Sequence, residues 1–226
     1  MGKKSDKKKR AVSLPKWSIC TEGETEALYL EAYCRDLGVH DLIDINSTIP
    51  YCKLDRGKAC GRQHRSLIEQ MQRCHNPRRY ERSIAVHDFD EDGDVTRKLF
   101  DEASEIGEQA DFSVYYSIPS FEFWLLLHLN LVTSDLSRDV CLDKVKKHVN
   151  DIRKRNKKTL LRNAEIKTDP DLYKYFDGKD GVERAKKHAL ELWDDKLPPK
   201  KPSSVRPSSN MYLLMDDIKE FAANRV

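Results

Sequence analysis

No apolar run in this chain is long enough to cross a bilayer. The longest, Phe121 to Leu131, is interrupted by Glu122, His128 and Asn130, whereas a membrane span needs roughly twenty consecutive apolar residues. No signal-peptide core follows the N-terminal lysines, so a cytoplasmic protein without membrane contact is expected. Six cysteines, at positions 20, 34, 52, 60, 74 and 141, show no secretory spacing and are expected as reduced thiols. Cys60-x3-His64 followed by Cys74 and His75 matches no standard zinc spacing. A Gly-x4-Gly-Lys-Ser/Thr phosphate loop is also missing, so any ATP-driven step must come from a separate ATPase subunit.

What is present suits one core with an appendage. The 226 residues are 38% hydrophobic, and cores usually split only beyond about 250 residues. The net charge of +3 is unevenly spread, with +6 in the first sixteen residues and −3 over the remainder. Residues 1–16 read as a disordered basic arm, either a solubilising tail or a phosphate-seeking one. From Trp17 strands and helices alternate: strand 17–21, helix 24–37, strand 42–46, a polar helix 62–73, strand 83–87, helix 95–106 and strand 112–116. That order predicts an α/β domain over 17–130, a small, mostly parallel sheet between helices. Residues 131–226 read as a mainly helical basic extension packed on it, with 197–209, rich in Pro, Lys and Ser, as an exposed connection.

Carboxylates collect at two strand ends. One is Ile19-Cys20-Thr21-Glu22-Gly23, a strand running into a Gly turn that opens a helix; the other is Val86-His87-Asp88-Phe89-Asp90. Asp88 and Asp90 project to one side if the extended backbone persists. In a parallel sheet ligands gather outside the carboxyl ends of the strands, so Glu22 can meet this pair there if the strands are neighbours. Anions packed together repel, a cation relieves them, and an all-oxygen set favours Mg²⁺ or Mn²⁺. A calcium loop does not fit: counted from Asp90, the glycine is Gly93 rather than the sixth residue, and no glutamate stands twelfth.

These residues resemble a known family. Thr21-Glu22-Gly23-Glu24-Thr25-Glu26, with the strand ending Asp88-Phe89-Asp90, is similar to a Toprim site. Ser117-Ile118-Pro119-Ser120-Phe121-Glu122-Phe123-Trp124-Leu125-Leu126-Leu127-His128 resembles the segment that marks RloB-like proteins. Lys167-Thr168-Asp169-Pro170-Asp171-Leu172-Tyr173 and Pro207-Ser208-Ser209-Asn210-Met211-Tyr212 resemble its later blocks. The resemblance implies a Toprim fold with a helical C-terminal region, Glu22 as the first Toprim acid, and Asp88 and Asp90 as the Asp-x-Asp pair. The Toprim group contains topoisomerases, primases and nucleases, and RloB-like proteins are similar to nuclease partners of ATPases in bacterial anti-phage islands. The expected function is therefore a Mg²⁺- or Mn²⁺-dependent nuclease acting on RNA or DNA in anti-phage defence. The alternative is a Toprim-like subunit that binds nucleic acid and an ATPase and has little activity alone.

Further candidates surround this set. Glu26, one turn after Glu22, either faces the same pocket or is a surface glutamate. Glu122 interrupts an apolar helix, so it serves either the site or a buried arginine. His128 is either a general base or a core histidine. Residues 144–167 carry ten Lys or Arg against Asp151 and Glu165, a one-sided charge that favours phosphate contact. Lys146, Lys147, Arg153, Lys154, Arg155, Lys157 and Lys158 are the expected nucleic-acid contacts, and the scarcity of aromatics among them argues against base stacking.

Overall fold

Two parallel strands need a crossover long enough to bring the chain back to the same end of the sheet, and the first helix supplies one. The computed structural model describes residues 16–47, 80–89, 97, 98, 100–102, 105, 112–193 and 201–225. Strand β1 (Trp17–Thr21) leads through α1 (Glu24–Asp36) and a 3-10 turn (His40–Leu42) into β2 (Ile43–Asn46). Then come β3 (Arg82–Asp88) and β4 (Phe112–Ile118), with helical backbone at Arg97, Lys98 and 100–102 between them. After β4 the chain forms α2 (Phe121–Leu127), α3 (Arg138–Arg155), α4 (Asn163–Lys167), α5 (Leu172–Tyr175) and α6 (Gly178–Glu191), then β5 (Ser208–Ser209) and α7 (Met211–Ala223). The sheet order is β2-β1-β3-β4-β5, with β1 to β4 parallel and β5 antiparallel to β4. This is the expected α/β class: a small, mostly parallel sheet flanked by helices, with a helical C-terminal region.

Burial explains the strands. Every residue of β1 is buried, as a central strand covered on both faces requires. Helix α1 turns Tyr29, Leu30, Tyr33 and Cys34 inward, the spacing of one helical face, and Tyr33 Oη donates to the Met215 carbonyl of α7 at 3.1 Å. Cys20 is buried, and Cys34 and Cys141 are buried free thiols. The basic arm through residue 15, the expected polar helix 62–73 and the Cys60–His75 group lie outside the described residues.

The segment 197–209 departs from expectation at its end. Pro207, Ser208 and Ser209 are buried, and Ser208–Ser209 pairs with β4. Pro and Ser signal a loop, yet proline is tolerated at the start of an edge strand, where its missing N–H costs no ladder bond. The polar residues that suggested exposure satisfy the edge of β4. Asn210 Oδ1 accepts from the Tyr116 N–H at 2.6 Å, Asn210 Nδ2 donates to the Val114 carbonyl at 3.3 Å, and Ser209 Oγ donates to the Tyr116 carbonyl at 3.2 Å. Asn210→Ala removes the partner of a buried N–H and should destabilise the chain by about 1–3 kcal/mol in chemical denaturation. An unchanged midpoint would show that the β4 edge finds other partners.

Candidate active site

The pairing of β1 with β3 sets the site. Thr21 stands opposite Val86, and the Glu22 N–H donates to the Val86 carbonyl at 3.0 Å, so the ladder runs one residue past the strand. Glu22 therefore lies level with the end of β3, where its Oε2 accepts from the Asp88 N–H at 3.1 Å. Thr21 Oγ1 donates to the Gly23 carbonyl at 2.8 Å and fixes the turn into α1. Gly23 has an ordinary extended backbone; what it supplies is space. A Cβ there would sit 2.5 Å from Glu26 Oε2, so the Glu-Gly turn makes room for the Glu26 carboxyl. On the other side of β3, Asp88 stands opposite Ser117 of β4, and Ser120 and Glu122 follow at the start of α2.

Charge at this end of the sheet is crowded. Glu26, Asp88 and Glu122 are only 3%, 4% and 3% exposed. Burial, then the neighbouring Glu122 and Glu22 carboxylates, push the Glu26 carboxyl up to about 8, against a backbone hydrogen bond and Lys167. Glu122 Oε1 is 3.4 Å from Lys167 Nζ, and its Oε2 accepts from Ser120 Oγ at 2.7 Å. The partner of Glu122 is thus a lysine rather than the arginine considered above. Cys141 is pushed up to about 12, by burial first and then by acids including Glu122 and Asp88, so it stays a thiol.

Glu22, Glu26, Asp88 and Glu122 are therefore brought into one neighbourhood from three elements, while Asp90 lies outside the described residues. Among the described residues no three His, Cys, Asp or Glu groups form a ready-made metal set. The family model of RloB-like proteins matches residues 17–218. The chain belongs to the RloB-like family. No curated protein and no solved structure matches it.

The later RloB-like blocks converge on the same region. Lys167 is one of the ten basic residues of 144–167 and opens the Lys-Thr-Asp-Pro block, the one sequence signal of its place beside Glu122. Its carbonyl accepts from Thr25 Oγ1 of α1 at 3.2 Å, and Ser209 Oγ lies 3.0 Å from Ser117 Oγ. His128 takes the core role of its two alternatives. A carbonyl can only accept, so Nδ1 donates to Phe176 at 3.2 Å and Nε2 accepts from Tyr29 Oη at 3.0 Å. Burial pushes the imidazole down to about 3. With both nitrogens engaged and the ring neutral, it has no lone pair left for proton abstraction.

The seven basic candidates separate into two groups. Lys147, Lys154, Arg155, Lys157 and Lys158 are exposed, and Lys146 pairs with Asp143. Arg153 instead turns inward: its guanidinium donates to Asp169 Oδ2 at 3.2 Å, to Tyr175 Oη at 2.8 Å and to the Thr159 carbonyl at 2.7 Å. Lys157 closes α3 with φ at 55°, a left-handed position that favours glycine.

Two predictions follow from these environments. In the metal-free fold Glu26 keeps its proton up to about pH 8, whereas unfolded it releases it near 4.5. The folded state thus binds the extra proton in between, so this contribution is full below 4.5 and is lost as pH rises through 8, at up to about 1.4 kcal/mol per pH unit. Melting curves of the metal-free chain should decline over that window, and Glu26→Gln should flatten them; parallel curves for the two proteins would show that Glu26 ionises normally. On α3, Arg153→Ala leaves Asp169 unpaired and should cost about 3 kcal/mol. Lys157→Gly should instead stabilise by about 0.5–1 kcal/mol while weakening nucleic-acid binding. Equal melting temperatures for the two variants would erase the distinction between inward and outward residues.

Proposed function

We propose that this chain is a divalent-metal-dependent nuclease that hydrolyses RNA or DNA, with Mg²⁺ or Mn²⁺ held by Glu22, Asp88 and Asp90. The observation that supports it is the delivery of carboxylates by the ends of adjacent parallel strands, with Glu22 bonded to the Asp88 N–H and two further buried carboxyl groups beside them. The donor chemistry fits a hard cation: the set is all oxygen, and the nearby Cys141 stays protonated. When bound, such an ion polarises the scissile phosphate and lowers the pKa of its water.

The chain's own residues supply the rest of the chemistry. Glu22 and Asp88 set the position of the site, since one hydrogen bond ties the Glu22 carboxylate to the end of β3. Glu26 is held protonated in the metal-free fold by burial and its acidic neighbours, and a bound cation beside it would favour release of that proton. The exposed lysines and arginine at the end of α3 hold the nucleic-acid backbone without reading bases. The resemblance to nuclease partners of ATPases supports anti-phage defence as the setting.

Purified chain incubated with Mn²⁺ and mixed RNA and DNA should cut one of them, and Asp88→Asn should lower the rate at least ~100-fold, about 2.7 kcal/mol in the barrier. Equal cutting by Asp88→Asn would refute the site. Nucleic-acid binding without cutting by the wild type would favour the binding subunit instead.

A further inference from the structure

We infer that Lys167 is the residue that contacts the scissile phosphate, an inference that rests on the nuclease reading for its reaction but not for its binding test. Lys167 is the ion-pair partner of Glu122 and weighs on the Glu26 carboxyl as well. Its side chain is 31% exposed while that of Glu122 is 3% exposed. The ammonium therefore reaches solvent while touching a buried acid, so a phosphate arriving from outside can meet it.

Its backbone is held from two directions. Thr25 Oγ1 at the start of α1 donates to its carbonyl at 3.2 Å. Two residues on, Asp169 takes the Arg153 guanidinium at 3.2 Å and the Asp171 N–H at 2.9 Å. The main chain is thus fixed while the four-carbon side chain stays free to swing, as an ammonium on a flexible stem can. The same stretch begins at the exposed Lys157 and Lys158, which precede Lys167 in the chain.

At rest the ammonium neutralises Glu122. With a phosphate present it exchanges that partner for a non-bridging oxygen, where negative charge builds as the reaction proceeds. In hydrolysis the water hydroxyl bonds to phosphorus, the ester P–O bond breaks, and the water proton ends on the leaving oxygen. Lys167 keeps all its protons and only donates hydrogen bonds.

The binding test uses inorganic phosphate titrated calorimetrically into the full chain with Mn²⁺. Wild type should bind it, Lys167→Ala should weaken binding at least tenfold, and Lys167→Arg should stay within about threefold. Mn²⁺ affinity, read by electron paramagnetic resonance without phosphate, should hold or tighten in Lys167→Ala, because a competing cation has gone. Since Lys167→Ala strands Glu122 as a buried anion, the double variant Lys167→Met with Glu122→Gln is measured in parallel, and the loss of phosphate binding should persist in it. Recovery of phosphate binding in the double variant, no dependence on Lys167, or no binding by the wild type would each overturn the assignment. If Lys167-dependent phosphate binding is found but no nucleic acid is cut, the nuclease reading fails and the phosphate contact stands. If wild type cuts, Lys167→Ala should lower kcat at least tenfold more than it raises KM; an effect confined to KM would overturn the catalytic role.

Discussion

The hydrogen bond from the Asp88 N–H to the Glu22 carboxylate brings two strand ends together in a neighbourhood where Glu122 and Glu22 act on the buried Glu26 carboxyl. Two unit charges about 4 Å apart interact by roughly 4 kcal/mol at an effective dielectric of 20, against a total domain stability of about 5–15 kcal/mol. Such crowding has to be answered locally, and three answers are visible. Backbone and hydroxyl donors, the Asp88 N–H and Ser120 Oγ, meet the Glu22 and Glu122 oxygens. Glu26 keeps its proton. Lys167 brings a positive charge to Glu122 from outside the sheet. An acid cluster serving only as scaffold would be replaced at little loss by neutral groups, because buried charge is a poor source of stability.

How the chain could be read beforehand follows from the range of the interactions concerned. Trp17–Thr21 and Glu24–Asp36 carry their periodicity in consecutive residues, so pattern places them within a residue or two. Glu22 and Asp88 were legible because each breaks an apolar strand where that strand must end. Their meeting was conditional on strand order, which no local pattern encodes. No local pattern reveals the partner of Glu122: Lys167 is forty-five positions away, its approach depends on α3, α4 and the Thr25 bond, and the Lys-Thr-Asp-Pro block it opens is the one hint of it. The Pro-Ser stretch misled for a related reason. Its composition is that of a loop, and only the unfilled edge of β4 turns Ser208 and Ser209 into sheet residues and engages the Asn210 side chain. Arg153 shows the same limit from the other side, since residue type alone suggests phosphate contact while packing commits it to structure, whereas His128 takes the core role already among its expected readings.

The C-terminal half is consequently more than a cover for the sheet. It closes the free edge of β4 through Asn210, ties α1 through Met215, and supplies the lysine that faces the acids. Helix α3 divides its charges accordingly. Arg153 is locked onto Asp169 and Tyr175, holding the segment that carries Lys167, while Lys154, Arg155 and Lys157 stand in solvent. Lys157 stays in a left-handed position that glycine would fill with less strain. Arg153 and Lys167 thus belong to one packed unit, in which Arg153 holds Asp169 two residues beyond the lysine that pairs with Glu122.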